Sequence, residues 1–231
     1  MVQVNTEKLV LRAKFIKTGA LQYISHLDLV RTMNKVIVRA DLPLWYTEGF
    51  NPKPKMVFAA PLSIGTESLT EFMDVRLTEK IDPAKAMARL NANMTSDMQV
   101  VEAYYPESKF TDLKWLSYSV KINTTAASEE LARECERVLN APEVKIIKST
   151  KSGEALVDIR PLIKSASASY VDGEIYLSLV LSADPSCFLN PEYAIKALKE
   201  YTNILSSPDL LSEYYSIMRD GAYFEDMTDF R

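Results

Sequence analysis

Residues 8–40 read KLVLRAKFIKTGALQYISHLDLVRTMNKVIVRA. The opening ten alternate: Leu9, Leu11, Ala13 and Phe15 face one way, Arg12 and Lys14 the other. That period of two is the signature of a half-buried strand. The period then changes. Leu29, Met33, Val36 and Ala40 recur at helical spacing, and Pro43 marks the end of the helix. Ser25-His26-Leu27-Asp28 resembles a capping box, with Asp in place of the usual Glu. A strand that hands over to a capped helix sets up a β-α unit.

Working outward, Leu44–Thr47 reads as a short strand and Gly49–Lys55 as a turn-rich loop stiffened by Pro52 and Pro54. Met56–Ala60 and Glu71–Thr78 read as strands. Asp82-Pro83 opens a helix to about Asn93, and Met98–Tyr105 is a further strand. The order β-α-β-β-α-β is the split βαβ arrangement of a ferredoxin-like domain.

After a polar connection at 106–114 the pattern restarts, with a strand at Trp115–Asn123 and a helix capped by Ser128. Strands follow at Val144–Ser149 and Ala155–Ile159, then a hairpin turning at Asp172-Gly173. Asn190-Pro191 opens another helix, and Asp209–Met218 reads as a last short helix ahead of an acidic tail that frays. The expectation is an α+β chain of two tandem ferredoxin-like domains, residues 1–108 and 109–231, the second carrying an inserted hairpin.

Composition narrows the chemistry. The chain has 231 residues, a net charge of −4, one histidine, two cysteines and six glycines. A single histidine rules out a histidine metal cage. Two cysteines cannot hold a four-thiolate metal or a disulfide framework. No phosphate-loop, dinucleotide or zinc-protease motif is present. No apolar run is long enough for a membrane span. The N-terminus lacks a signal-peptide core, so the cytoplasm is the default location.

Charge is uneven. Residues 8–56 hold nine basic and three acidic side chains, against the net of −4 for the whole chain. Arg31, Lys35 and Arg39 fall at i, i+4 and i+8 and form one basic helical stripe. In the stiffened loop, Lys53 and Lys55 lie two apart and share a face if the segment is extended. Tyr46 and Phe50 supply flat rings beside them, and Asn51 a polar contact. Cations on a stiff track beside aromatic rings suit single-stranded nucleic acid: lysines meet phosphates and rings stack on bases. The plain structural reading is a loop whose Phe50 fills the core. His26, in the first helical turn, is the one candidate acid–base group. Its plainer reading is a histidine packed locally.

The runs Tyr23–Leu29 (YISHLDL), Gly49–Lys55 (GFNPKPK) and Ala60–Gly65 (APLSIG) resemble the bacterial radical SAM-linked protein family, a domain of unknown function. Where that family often carries histidine, this chain has Lys53. The resemblance implies an accessory role beside a radical SAM protein, with RNA or a ribosome-associated substrate as the target. The chain lacks the cysteine run that would hold a radical SAM cluster. An iron–sulfur cluster and S-adenosylmethionine would therefore enter only through the partner, and this chain would bind no cofactor or metal of its own.

Three functions stay open at this point. The leading one is an RNA- or RNP-binding accessory module without catalysis of its own. A second is a docking module for the radical SAM subunit with no nucleic-acid contact. The third is a ferredoxin-like endoribonuclease that uses His26.

Overall fold

β1 (Val10–Lys17) forms where the alternation is cleanest and turns Leu11, Ala13 and Phe15 inward. It belongs to a computed structural model that describes residues 9–150, 153–207, 209 and 211–231. Lys8 lies outside the described residues. The chain is a mixed α+β protein with four α-helices among the described residues. It divides into two compact units, one reaching to Phe110 and including Arg231, the other Thr111–Phe230.

In the first unit, α1 (His26–Arg39) starts at Ser25. The Ser25 hydroxyl accepts from the Asp28 amide at 3.1 Å and donates to the Asp28 carboxylate at 2.7 Å. This satisfies one of the orphan amides of the first turn. β2 (Met56–Phe58) and β3 (Thr66–Arg76) follow. α2 (Pro83–Asn91), capped by the Asp82 carboxylate on the Lys85 amide, and β4 (Val100–Tyr104) complete the unit. The strands run in the order β4-β1-β3-β2 with every neighbouring pair antiparallel. Leu11 and Ala13 stand opposite Val75 and Met73, so these side chains share one sheet face. α1 covers that face with Leu29, Met33, Val36 and Ile37, and α2 with Ala86 and Leu90.

Two departures from the sequence reading occur here. Leu44–Thr47 is not a regular strand; Leu44 and Tyr46 make single bridges to Leu77 and Pro54. β3 begins five residues before Glu71. Its added inward positions are Thr66, Ser68 and Thr70, all buried, and polar inward residues hide a strand from hydrophobic alternation.

The second unit runs β5 (Trp115–Asn123), α3 (Glu129–Leu139), β6 (Lys145–Thr150), β7 (Gly153–Asp158), β8 (Ile163–Val171), β9 (Glu174–Ser182), α4 (Pro191–Tyr201) and β10 (Tyr214–Tyr223). Its sheet has the order β10-β5-β9-β8, antiparallel throughout, with β6 and β7 a separate hairpin. Leu116, Tyr118, Val120 and Ile122 on β5 and Ile175, Leu177, Leu179 and Leu181 on β9 are buried. α3 and α4 bury their own apolar faces, α3 packing on both α4 and β8.

The expected helix at Asp209–Met218 is wrong. Asp209 caps only a single turn, its carbonyl accepting from the Ser212 and Glu213 amides, and the chain then enters β10. Ile217 and Arg219 are buried there at a spacing of two, but a register shift between Arg219 and Gly221 moves the next inward position to Ala222. One extra residue flips the parity of a strand, and this breaks the alternation that would have identified it. The acidic tail is also ordered. Phe230 is buried, its amide donates to the Ala222 carbonyl, and its ring lies 5.1 Å from that of Phe224.

Glu213, at the entrance to β10, ties this corner together. It accepts from the Thr124 hydroxyl (2.9 Å), the Thr125 hydroxyl (2.8 Å) and the Ser207 amide (2.7 Å). Burial alone would raise its pKa. The hydrogen bonds from Thr125, Ser207 and Thr124 more than offset that and hold it below the ordinary glutamate value. A depressed folded pKa contributes stability above the unfolded value and loses it as pH falls through the folded one. Glu213→Gln is therefore expected to lower unfolding free energy near neutral pH by roughly 1–3 kcal/mol, with the deficit shrinking as acid protonates the wild type. Urea titrations at a series of pH values measure this; a deficit that does not change with pH would contradict the assignment. Ile217→Ala should cost about 2–5 kcal/mol and Ser216→Ala under about 0.5, whereas equal costs would argue against β10.

Candidate functional site

The periodicity that sends Leu29, Met33, Val36 and Ile37 of α1 into the core turns Arg31, Lys35 and Arg39 outward, all three exposed. At 1.5 Å per residue the stripe is about 12 Å long. The loop at 44–55 folds as a narrow ribbon beside it. The Thr47 amide donates to the Lys53 carbonyl at 2.9 Å, and the Lys53 amide donates to the Thr47 hydroxyl at 3.0 Å. The Lys55 amide donates to the Trp45 carbonyl at 3.1 Å. Pro54 stands opposite Tyr46 and, lacking an N–H, leaves no unmet donor there. At the tip, Gly49 takes a φ of +123°, a conformation other residues rarely adopt.

α1 and the ribbon enclose a groove of about 490 Å³, lined by Arg31, Asn34, Lys35, Val38, Arg39, Lys53 and Pro54. Its lining is mostly apolar, from Val38, Pro54 and the aliphatic stems of the four basic side chains. Arg31 is partly neutralised by Asp28 at 3.2 Å. The Asp28 carboxyl is held below the usual aspartate range first by the Ser25 hydroxyl and then by Arg31. Lys35, Arg39 and Lys53 have no carboxylate partner among the described residues. Three uncompensated cations around one concavity favour a bound anion.

The other residues singled out from the sequence fall in different places. Tyr46, Phe50 and Asn51 are on the same ribbon and exposed, but do not line the groove. Phe50 is fully exposed, which overturns the plain reading of it as a core residue. Lys55 does not join Lys53. It lines a separate cleft with Val10, Val57, Asp74, Arg76 and Phe110. His26 is half-buried, its ring edge-on to Phe58 at 5.5 Å and 85°, and it is not part of the groove. Two cations counted in the basic quarter are internal. Lys17 is buried. Arg12 makes a two-pronged pair with Asp74 (2.7 and 2.9 Å), donates to Ser108 at 2.8 Å and lies 4.4 Å from the Phe110 ring centre. Trp45 and Arg76 escaped the sequence reading. The Arg76 guanidinium stacks 4.1 Å over the Trp45 ring, a pairing across 31 positions that no local motif announces.

Among the described residues no three His, Cys, Asp or Glu side chains gather as a metal site, and no helix is long and apolar enough to cross a membrane.

The fold and groove define an α+β protein with a cationic concavity on its first unit. The chain belongs to the family described as uncharacterized protein conserved in bacteria (DUF2344), which matches residues 10–191. No curated protein matches it. Among solved structures, it is similar to a chain from the crystal structure of a Cbf5-Nop10-Gar1 complex, at 10% identity and a TM-score of 0.49. That match covers 92% of this chain and 48% of the other, so this chain spans about half of that one's length. It is also similar to the first two RRM domains of yeast poly(U) binding protein (Pub1), at 10% identity and a TM-score of 0.23, over 91% of this chain and 98% of the other.

Since α1 presents the stripe, its cap bears on the site. Ser25→Ala should cost about 0.5–2 kcal/mol of stability, read by urea denaturation. No change would mean that the Ser25–Asp28 exchange does not support α1.

Proposed function

We propose that this protein is an accessory module that binds single-stranded RNA, free or within an RNA–protein particle, for a radical SAM partner. In this reading both units are ferredoxin-like, and the β6–β7 hairpin is an insertion in the second. The radical SAM partnership rests on the resemblance of the YISHLDL, GFNPKPK and APLSIG runs, with any cluster and S-adenosylmethionine held by the partner.

The observation that carries the RNA reading is the convergence of Arg31, Lys35, Arg39 and Lys53 on one groove, three of them without an acidic partner. The exposed rings of Tyr46 and Phe50 on the adjoining ribbon offer stacking surfaces. Stacking on a base contributes about 1–3 kcal/mol and tolerates any sequence. Phe50, beside Gly49 at the tip of the ribbon, leaves its whole ring open to a base. An endoribonuclease reading gains no support from His26, which packs on Phe58 and does not line the groove.

Binding of a labelled oligouridylate, followed by fluorescence anisotropy across a salt series, tests the proposal. Four phosphate contacts on a single strand give a log–log salt slope of about −2.8, and Lys35→Ala/Arg39→Ala should make it shallower by about 1.4. Phe50→Ala should weaken binding with the slope unchanged. No binding at low salt, or a double variant that binds as wild type, would overturn the reading. Equal displacement by polyglutamate, with Phe50→Ala silent, would favour docking of an acidic protein surface instead.

A further inference from the structure

The cleft that takes Lys55 lies on the other face of the first unit's sheet. Leu11, Met73 and Val75 point to the face that α1 covers, while Val10, Asp74 and Arg76 alternate with them and point away. The two clefts share no lining residue. What joins them is the ribbon, with Lys53 in one cleft and Lys55 in the other.

The far cleft is held by backbone hydrogen bonds. The Lys55 amide donates to the Trp45 carbonyl (3.1 Å), the Trp45 amide to the Arg76 carbonyl (3.0 Å), and the Arg76 amide to the Lys55 carbonyl (3.0 Å). Three segments distant in sequence are thus locked residue to residue; two of them bring a cation to the cleft, Lys55 and Arg76, and the third supplies the Trp45 ring that backs Arg76. The Arg76 guanidinium is oriented by the Trp45 ring beneath it. Neither Lys55 nor Arg76 has a carboxylate partner among the described residues. The one acid in the cleft, Asp74, is taken up by Arg12. The cleft therefore carries two uncompensated positive charges. Its volume, about 240 Å³, is below the roughly 300 Å³ at which small-molecule pockets begin. It suits a single phosphate with part of its sugar rather than a free-standing ligand.

We propose that this cleft is a second phosphate subsite, and that a bound single strand leaves the α1 groove, crosses the ribbon and sets a later phosphate between Lys55 and Arg76. This rests on the reading of the α1 groove as an RNA site and extends it: the ligand is a single strand long enough to span both faces. A duplex is too stiff for such a crossing.

The test is a length series of oligouridylates from about 4 to about 16 nucleotides, the range of single-strand site sizes. These are titrated against wild type, Lys55→Ala, Lys55→Ala/Arg76→Gln and Lys35→Ala/Arg39→Ala. Thermal melting checks that each variant is folded. Lys55→Ala leaves the Arg76–Trp45 stack in place and so stands as the milder variant. For wild type, affinity should rise in two steps with length. Lys55→Ala/Arg76→Gln should leave the short oligomers unchanged and remove the second step, with the long-oligomer salt slope shallower by about 1.4; Lys55→Ala should give about half of that. If the Lys55 variants bind long oligomers as wild type does while Lys35→Ala/Arg39→Ala weakens all lengths, the groove reading survives and the second subsite falls. An equal loss at every length would also overturn it, since that is a diffuse charge effect. If wild type binds no oligomer, both readings fall together.

Discussion

Three backbone hydrogen bonds among Trp45, Lys55 and Arg76 set the position of the ribbon that carries Tyr46, Phe50, Lys53 and Lys55. Without them the 44–55 segment would keep its Thr47–Lys53 pairing and the Leu44–Leu77 bridge, but these would not aim it at the end of β3. With them, the ribbon is anchored to the end of β3, its lysines are committed to two clefts, and Phe50 is carried at the tip beside Gly49. Each bond is individually modest, about 0.5–1.5 kcal/mol net. Their effect lies in closing a ring among three segments, so that breaking one loosens the other two.

The same economy governs α1. Burying Leu29, Met33, Val36 and Ile37, each worth about 1.5–3 kcal/mol, fixes the helix rotation. That rotation in turn forces Arg31, Lys35 and Arg39 to one exposed edge. No separate device is needed to gather the cations. Arg12 is the contrast. Buried and satisfied by Asp74 and Ser108, it is an internal tie, and its charge is unavailable to a ligand. Counting basic residues along the chain overstates the surface; pairing and burial decide which of them act outside.

How far this was legible in the sequence follows from which signals are local. β1, α1 and β5 announce themselves by period and caps. The Ser25, Asp82, Ser128 and Asn190 caps sit where their side chains suggested. β10 was hidden by its bulge at Arg219–Gly221 and by a tyrosine-rich start that also fits a helix. The early part of β3 was hidden because its inward residues are Thr66, Ser68 and Thr70. For the site, the Arg31–Lys35–Arg39 stripe is a helical repeat and therefore visible. That Lys55 would leave Lys53 and the stripe depends on its pairing with Arg76, 21 residues on, and no spacing rule encodes that. Trp45 and Arg76 were missed for the same reason.

Photo-cross-linking of a thiouridine-substituted single strand, followed by mass spectrometry of the joined peptides, addresses the central claim most directly. A zero-length cross-link reports which side chains touch bases. The account calls for cross-links on the 44–55 ribbon, at Tyr46 or Phe50, lost at high salt. Cross-links confined to the second unit, with the ribbon unlabelled, would contradict it.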